Sequence, residues 1–186
     1  MKLILGSKSP RRKELLASIG FDFETRTKET DESFPATLHP NEVALYIANK
    51  KALDLKDDLK DEEVVICADT VVIIDEGILG KPKNQAEATR MLEQLSGREH
   101  LVITGVVIAS NEKKIEFQST TIVSFLPLSK DEIQEYIERY KPYDKAGSYG
   151  IQEWIGAAAI QRIEGSYNNV VGLPTHEVYQ ALKKFQ

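Results

Sequence analysis

Val64-Val65-Ile66-Cys67-Ala68-Asp69-Thr70-Val71-Val72-Ile73-Ile74 is an apolar run with one carboxylate at its middle. Its length and β-branched content read as a buried strand, closed by the turn Asp75-Glu76-Gly77 before the short segment Ile78-Leu79. Upstream, the short apolar strand Leu3 to Leu5 runs through Gly6 into Ser9-Pro10. Ser9 suits an N-cap and Pro10 the first helical position, which predicts a helix to about Ile19, stopped by Gly20. Asn41 opens a second helical pattern through Val43, Ile47 and Leu55, and the charged stretch Lys56 to Glu63 reads as a solvated loop or frayed helix end.

Downstream, Asn84 and Glu87 have capping-box spacing for a helix through Leu95, closed by Ser96-Gly97. Leu101 to Ala109 and Ile115 to Phe125 read as a hairpin joined through Asn111-Glu112-Lys113. Ser129 and Glu132 form a second capping box for a helix to about Tyr140, and a last helix follows Pro174 with Val178, Leu182 and Phe185 on one face. Between them, from Lys145 to Gly172, strands are poorly defined by pattern. Strands and helices alternate without strict βαβ order, so the fold class expected is α/β with a mixed sheet.

The 186 residues fit one domain or two closely packed lobes and carry enough apolar content, 41%, to bury a substantial core. A net charge of -5 gives no electrostatic support for coating a nucleic-acid polymer. The apolar segment at the start, Leu3 to Leu5, is too short for a secretory core, and no stretch approaches the ~18 apolar residues of a membrane span. The single cysteine, Cys67, fits a reducing interior, so the expected location is cytoplasmic.

Several residues look misplaced. Arg11, Arg12 and Lys13 sit where the helix dipole is already positive, each at a cost of a few tenths of a kcal/mol. Free helix N–H groups, the approach Ser7-Lys8-Ser9 and paired arginines suit phosphate, the alternative being arginines that point into water. Asp69 inside its apolar run needs a cation, a metal or a proton-transfer role, or else it caps backbone or lies at an exposed bulge. Lys51 falls towards the apolar stripe of its helix, as a snorkelling side chain would. Lys81 lies in the turn Gly80-Lys81-Pro82, which could aim the amine or be an ordinary turn. Lys145 to Gln152 combines flexible backbone with a cation, an aromatic and an amide; it suits a nucleobase or phosphate pocket and equally a Gly-rich connection. His39, His100 and His176 lack zinc-ligand spacing.

Taken in order, Ser7-Lys8-Ser9-Pro10-Arg11-Arg12, Ala68-Asp69-Thr70, Gly80-Lys81-Pro82, Leu95-Ser96-Gly97-Arg98, Asp144 to Gln152 and Val171-Gly172-Leu173-Pro174 closely resemble the motifs of Maf nucleoside triphosphate pyrophosphatases. The resemblance spans nearly the whole chain. It implies a two-lobed, elongated mixed-sheet fold with a central cleft, similar to inosine triphosphate pyrophosphatase, and a homodimer. It implies hydrolysis of a nucleoside triphosphate between the α and β phosphates, aided by a divalent cation such as Mg²⁺ or Mn²⁺. Asp69 matches the proton acceptor, while Arg11, Thr70 and Gln152 match positions of the dTTP/UTP branch. Ser7, Ser9, Arg11, Arg12, Lys51, Lys81 and Lys145 are expected around the phosphates, Lys81 and Glu32 to assist catalysis, and Glu32 with Asp69 to hold the metal. Two departures stand out: Cys67 where many members have Gly, and Glu153-Trp154-Ile155 in place of a glycine-richer turn. The competing expectations are a purine-directed pyrophosphatase for inosine or xanthosine triphosphates and a non-catalytic nucleotide-binding regulator of cell division.

Overall fold

The computed structural model describes residues 1–185. Its elements in chain order are β1 (Lys2–Leu5), α1 (Pro10–Ser18), β2 (Phe23–Thr25), α2 (Pro40–Lys56), β3 (Glu63–Ile74), β4 (Gly77–Leu79), α3 (Gln85–Leu95), β5 (Glu99–Ala109), β6 (Lys114–Phe125), α4 (Lys130–Tyr140), α5 (Trp154–Ala158), β7 (Ile160–Glu164), α6 (Tyr167–Val171) and α7 (Thr175–Leu182). Among these residues the sheet has seven strands in the order β2-β1-β3-β5-β6-β7, with β4 attached to β3. β1 is parallel to both β2 and β3, with Leu3 opposite Phe23 and Val64, whereas β4 and β7 add antiparallel pairs. The sheet is therefore mixed, as the interspersed pattern requires.

The chain folds as two compact units. One contains Met1–Thr70, Thr104–Ser119 and the segment from Gly172 onward; the other contains Val71–Ile103 and Thr120–Val171. In the first unit the strands bury both faces, and the period of two sorts their side chains. Leu3, Leu5, Val64, Ile66, Ala68, Val106 and Ile108 pack with Leu16 of α1 and with Val178, Ala181 and Leu182 of α7. Ile4, Val65, Cys67 and Val107 pack with Ala48, Ala52 and Leu55 of α2. Burial on both sides explains why β3 reads as a continuous apolar run and not as an alternation. Gly105 is required where β5 meets α2, because a Cβ there would collide with the backbone of Leu45.

In the second unit β3 turns into β4 through Asp75 and Glu76, at φ 51° and 62°, the left-handed pair of a tight hairpin. α3 and α4 start as their sequences predict: Asn84 Oδ1 accepts from Glu87 N at 2.9 Å, and Ser129 and Glu132 form a reciprocal capping box. His100, Phe125 and Tyr149 make an edge-to-face aromatic cluster with centroids 5.0 to 5.5 Å apart. Burial pushes the His100 imidazole down to about 4, so the ring is neutral near pH 7, and its Nε2 meets the Tyr149 hydroxyl at 2.8 Å.

Three local expectations change. α2 begins at Pro40, because His39 Nδ1 accepts the Asn41 amide at 3.2 Å and so serves as the N-cap. β2 and β7, three and five residues long, were not separable from loop by periodicity. The stretch from Lys145 to Gly172 resolves into a 3-10 turn at Ala146–Ser148, α5, β7 and α6.

Candidate active site

Within β3 the residues that escape full burial are Asp69 and Thr70, next to each other at the end of the first unit. The alternation that sorts the core also aims these two. Asp69 follows Val65 and Cys67 towards α2, and Thr70 follows Ile66 and Ala68 towards α1. A polar residue supplied by each helix meets each of them.

On the α2 side, Lys51 lies three residues after Ala48 and four before Leu55, on the helix's buried face. Its ammonium is 2.7 Å from Asp69 Oδ1 and 2.8 Å from Glu32 Oε1. Lys51 and Asp69 are mostly buried, at 17% and 14% side-chain exposure. This pairing resolves the misplaced carboxylate: Asp69 is neither a backbone cap nor stranded at an edge. The acidic segment that brings in Glu32 is tied along α2: Lys50 Nζ donates to Asp31 Oδ2 at 3.1 Å and to the Ser33 carbonyl at 3.0 Å. Thr30 donates to Asp54 at 2.6 Å. The Ser33 hydroxyl and amide, with Lys50, hold the Asp31 carboxyl down at about 2.

On the α1 side, Arg12 spends its guanidinium inside the protein. Its Nε donates to the Gly172 carbonyl at 2.8 Å and its Nη2 to Thr70 Oγ1 at 3.0 Å, and Thr70 Oγ1 lies 2.9 Å from Thr104 Oγ1. Burial pushes Arg12 below its ordinary value, Asp69 opposes this by attraction and Arg11 adds to it by repulsion. Arg11 is half-buried in the same first turn. Ser9 caps α1, accepting from Arg12 N at 3.4 Å, and Ser7 Oγ accepts from Ser9 N at 3.2 Å, so both serines order the approach to the helix. Cations concentrate at a helix N-terminus that has no acidic residue in its first turn.

The second unit holds the remaining residues singled out from sequence. Lys81 is exposed in the turn after β4, and that turn is fixed by Gly147 N donating to the Gly80 carbonyl at 3.1 Å. Lys145 lies 2.8 Å from Asp144 Oδ1 and 3.0 Å from Glu153 Oε1, and Gln152 is exposed beside Glu153. The structure thus brings Ser7, Ser9, Arg11, Arg12, Glu32, Lys51, Asp69 and Thr70 into one unit and Lys81, Lys145 and Gln152 into the other.

Sequence reasoning missed Thr104, the Gly172 carbonyl as Arg12's acceptor, and the partnership of Glu153 with Tyr136. Thr104 was visible as a polar residue interrupting the apolar run of β5, and Gly172 lay within a quoted motif.

Glu32 and Asp69 place two carboxylates around one cationic atom. Mg²⁺ and Mn²⁺ take hard oxygen ligands, and Mg²⁺ in particular is bound through one or two carboxylates completed by phosphate and water, so the donor set fits such an ion. Among the described residues no group of three or more His, Cys, Asp or Glu is arranged to hold a metal without such help. No helix among them is long and apolar enough to cross a membrane.

A family model described as Maf-like protein matches residues 2–185. The chain is 52% identical over 187 residues to a dTTP/UTP pyrophosphatase of Porphyromonas gingivalis, covering 99% of this chain and 94% of that one. It is 47% identical over 185 residues to a dTTP/UTP pyrophosphatase of Parabacteroides distasonis, covering 99% and 96%. Among solved structures, the Staphylococcus aureus Ham1 protein superposes with a TM-score of 0.51 at 13% identity, over 67% of this chain and 72% of that one, a likeness of fold.

Proposed function

The chain belongs to the Maf family, and from that premise we propose that it is a nucleoside triphosphate pyrophosphatase that hydrolyses dTTP and UTP to the monophosphate and pyrophosphate. The observation that carries this reading is near-half identity over almost the entire length of relatives with that name, joined to an Asp69–Lys51–Glu32 cluster built into the protein. The same identity favours pyrimidine triphosphates over the purine-directed and the purely regulatory expectations.

In this reading Asp69 accepts the proton of the attacking water, as a carboxylate with one oxygen free of Lys51 can. Lys51 exchanges a carboxylate for phosphate oxygen, and Arg11 with the N-terminus of α1 adds donors. Lys81 and Lys145 neutralise charge that builds on the leaving pyrophosphate. Arg12 holds Thr70 in place through its fork, and Thr70 and Gln152 read the pyrimidine edge. A divalent cation on Glu32 and Asp69 would supply Lewis acidity and lower the pKa of a bound water. The proposal keeps a homodimer, which sedimentation of the purified protein checks directly, and a cytoplasmic location, which cell fractionation checks. Modified pyrimidine triphosphates fall within the same substrate class, their removal preventing incorporation of non-standard nucleotides.

The test is a panel of dTTP, UTP, CTP, ITP and 7-methyl-GTP, each with Mg²⁺ and with Mn²⁺. Pyrophosphate release fastest from dTTP and UTP supports the reading, and preference for ITP or 7-methyl-GTP overturns it.

A further inference from the structure

The departure Glu153-Trp154-Ile155 lies at the centre of a polar network within the second unit. Glu153 Oε1 is 3.0 Å from Lys145 Nζ, and the two side chains are only 20% and 12% exposed. Glu153 Oε2 accepts the hydroxyl proton of Tyr136, and that hydroxyl in turn accepts the Gly150 amide at 3.0 Å. The backbone closes the same turn, since Glu153 N donates to the Gly150 carbonyl at 3.0 Å. There is no slack around it: a Cβ on Gly150 would meet Glu153 Cδ and Lys145 Cε at 2.9 Å each. Tyr136 is anchored in turn, 1% exposed on the buried face of α4 and stacked on Tyr140 at 5.1 Å. Glu153 therefore shares the ammonium of Lys145 with the exposed Asp144, at 3.0 and 2.8 Å, and is the one of the two that also ties down the turn presenting Gln152 to solvent.

We propose that Glu153 is a positioning residue that sets base discrimination through Gln152 and occupies Lys145 until phosphate displaces it. This rests on the pyrimidine triphosphate reading given above. A turn held at both ends by the Tyr136 hydroxyl presents the Gln152 amide in one place, which a base hydrogen bond requires. A carboxylate beside Lys145 also competes with phosphate, so base selection is strengthened while binding of the bare phosphate chain is weakened.

Trp154, the single tryptophan, follows Glu153 directly and its ring lies 6.5 Å from that of Tyr136, so its emission is a probe placed at this turn that can be followed during ligand titration without turnover. The experiment measures tripolyphosphate affinity by Trp154 emission, and kcat/KM for dTTP and CTP, in the wild type, Glu153→Gln and Tyr136→Phe. Glu153→Gln is expected to bind tripolyphosphate about fivefold tighter and to lose about fivefold in the dTTP/CTP ratio. Tyr136→Phe is expected to lose the ratio similarly while tripolyphosphate affinity stays within about twofold. A dTTP/CTP ratio unchanged in both variants overturns the proposal, as does an equal loss on both nucleotides, which marks a structural role alone. If Glu153→Gln does not fold, Tyr136→Phe decides by its ratio. A wild type that hydrolyses neither nucleotide overturns the substrate reading instead, and the tripolyphosphate affinities then decide the proposal: unchanged affinity in Glu153→Gln overturns it.

Discussion

Lys51→Met keeps most of the aliphatic stem of Lys51 and removes its charge from between Asp69 and Glu32. At 2.7 Å the Lys51–Asp69 attraction is about 6 kcal/mol gross at an effective dielectric of about 20, most of it offset by the cost of desolvating both groups. Removing Lys51 leaves Asp69, with its side chain 14% exposed, as a nearly buried carboxylate without its ion-pair partner, compensated only by the longer-range attraction of Arg12. Breaking a fully buried pair costs about 3–5 kcal/mol, so a partly solvated pair should cost about 2 kcal/mol, a fall in Tm of about 4–8 °C. The double variant Lys51→Met/Asp69→Asn removes the orphaned charge and should recover at least half of that loss. Its dTTP hydrolysis should stay at least about 100-fold below wild type, because on the proposed mechanism it lacks both the base and a phosphate-binding cation. Urea titrations of the four proteins give the coupling energy directly. Additive losses, with the double variant less stable than either single one, would refute the pairing argument even if activity were lost.

Other expectations concern the supports of the site. Thr104→Val deletes the hydroxyl beside Thr70 at a fully buried position and should cost about 1 kcal/mol in urea unfolding, with a larger effect on dTTP/CTP discrimination than on kcat. His100, held down near 4 by burial against an ordinary 6.5, takes up its proton in the unfolded chain first. Stability should therefore fall by about 3 kcal/mol as pH drops from about 6.5 to 4, and His100→Gln should flatten that limb. Glu63 is held at about 2 by its two-point Arg26 contact, at 2.7 and 2.9 Å. Its contribution is complete above the ordinary value of 4.5 and is lost as pH falls from there towards 2. Glu63→Gln should lower stability at pH 7 and remove that acid limb, as thermal melts across pH would record.

What the sequence carried depended on how local its signals were. The Asn84 N-cap, the capping box at Ser129 and the proline after Ser9 act within one turn, so α3, α4 and α1 were legible to within a residue or two, although Glu87 completes no box and its carboxylate accepts the Lys83 amide. β2 and β7 were not, because such short strands, exposed in part and carrying Glu24, Arg162 and Glu164, gain their structure from neighbours and not from their own pattern. In the site, Asp69 and Lys51 were visible as residues at odds with their surroundings. Their being each other's remedy depends on the phase of β3 against α2, 18 residues apart. The Arg12–Thr70 contact spans 58 residues, and nothing local to Thr70 distinguishes it from an ordinary strand threonine. Glu153 was noticed as a departure, yet its meaning came from Tyr136 on α4, a residue that reads as core.

The most direct test of the central claim is product analysis of dTTP hydrolysis by the wild type and Asp69→Asn in parallel, with nucleotide binding followed through Trp154. The account predicts equal amounts of dTMP and pyrophosphate from the wild type, and a loss of at least about 100-fold in Asp69→Asn with binding retained. Release of dTDP and inorganic phosphate, or undiminished turnover by Asp69→Asn, would contradict it.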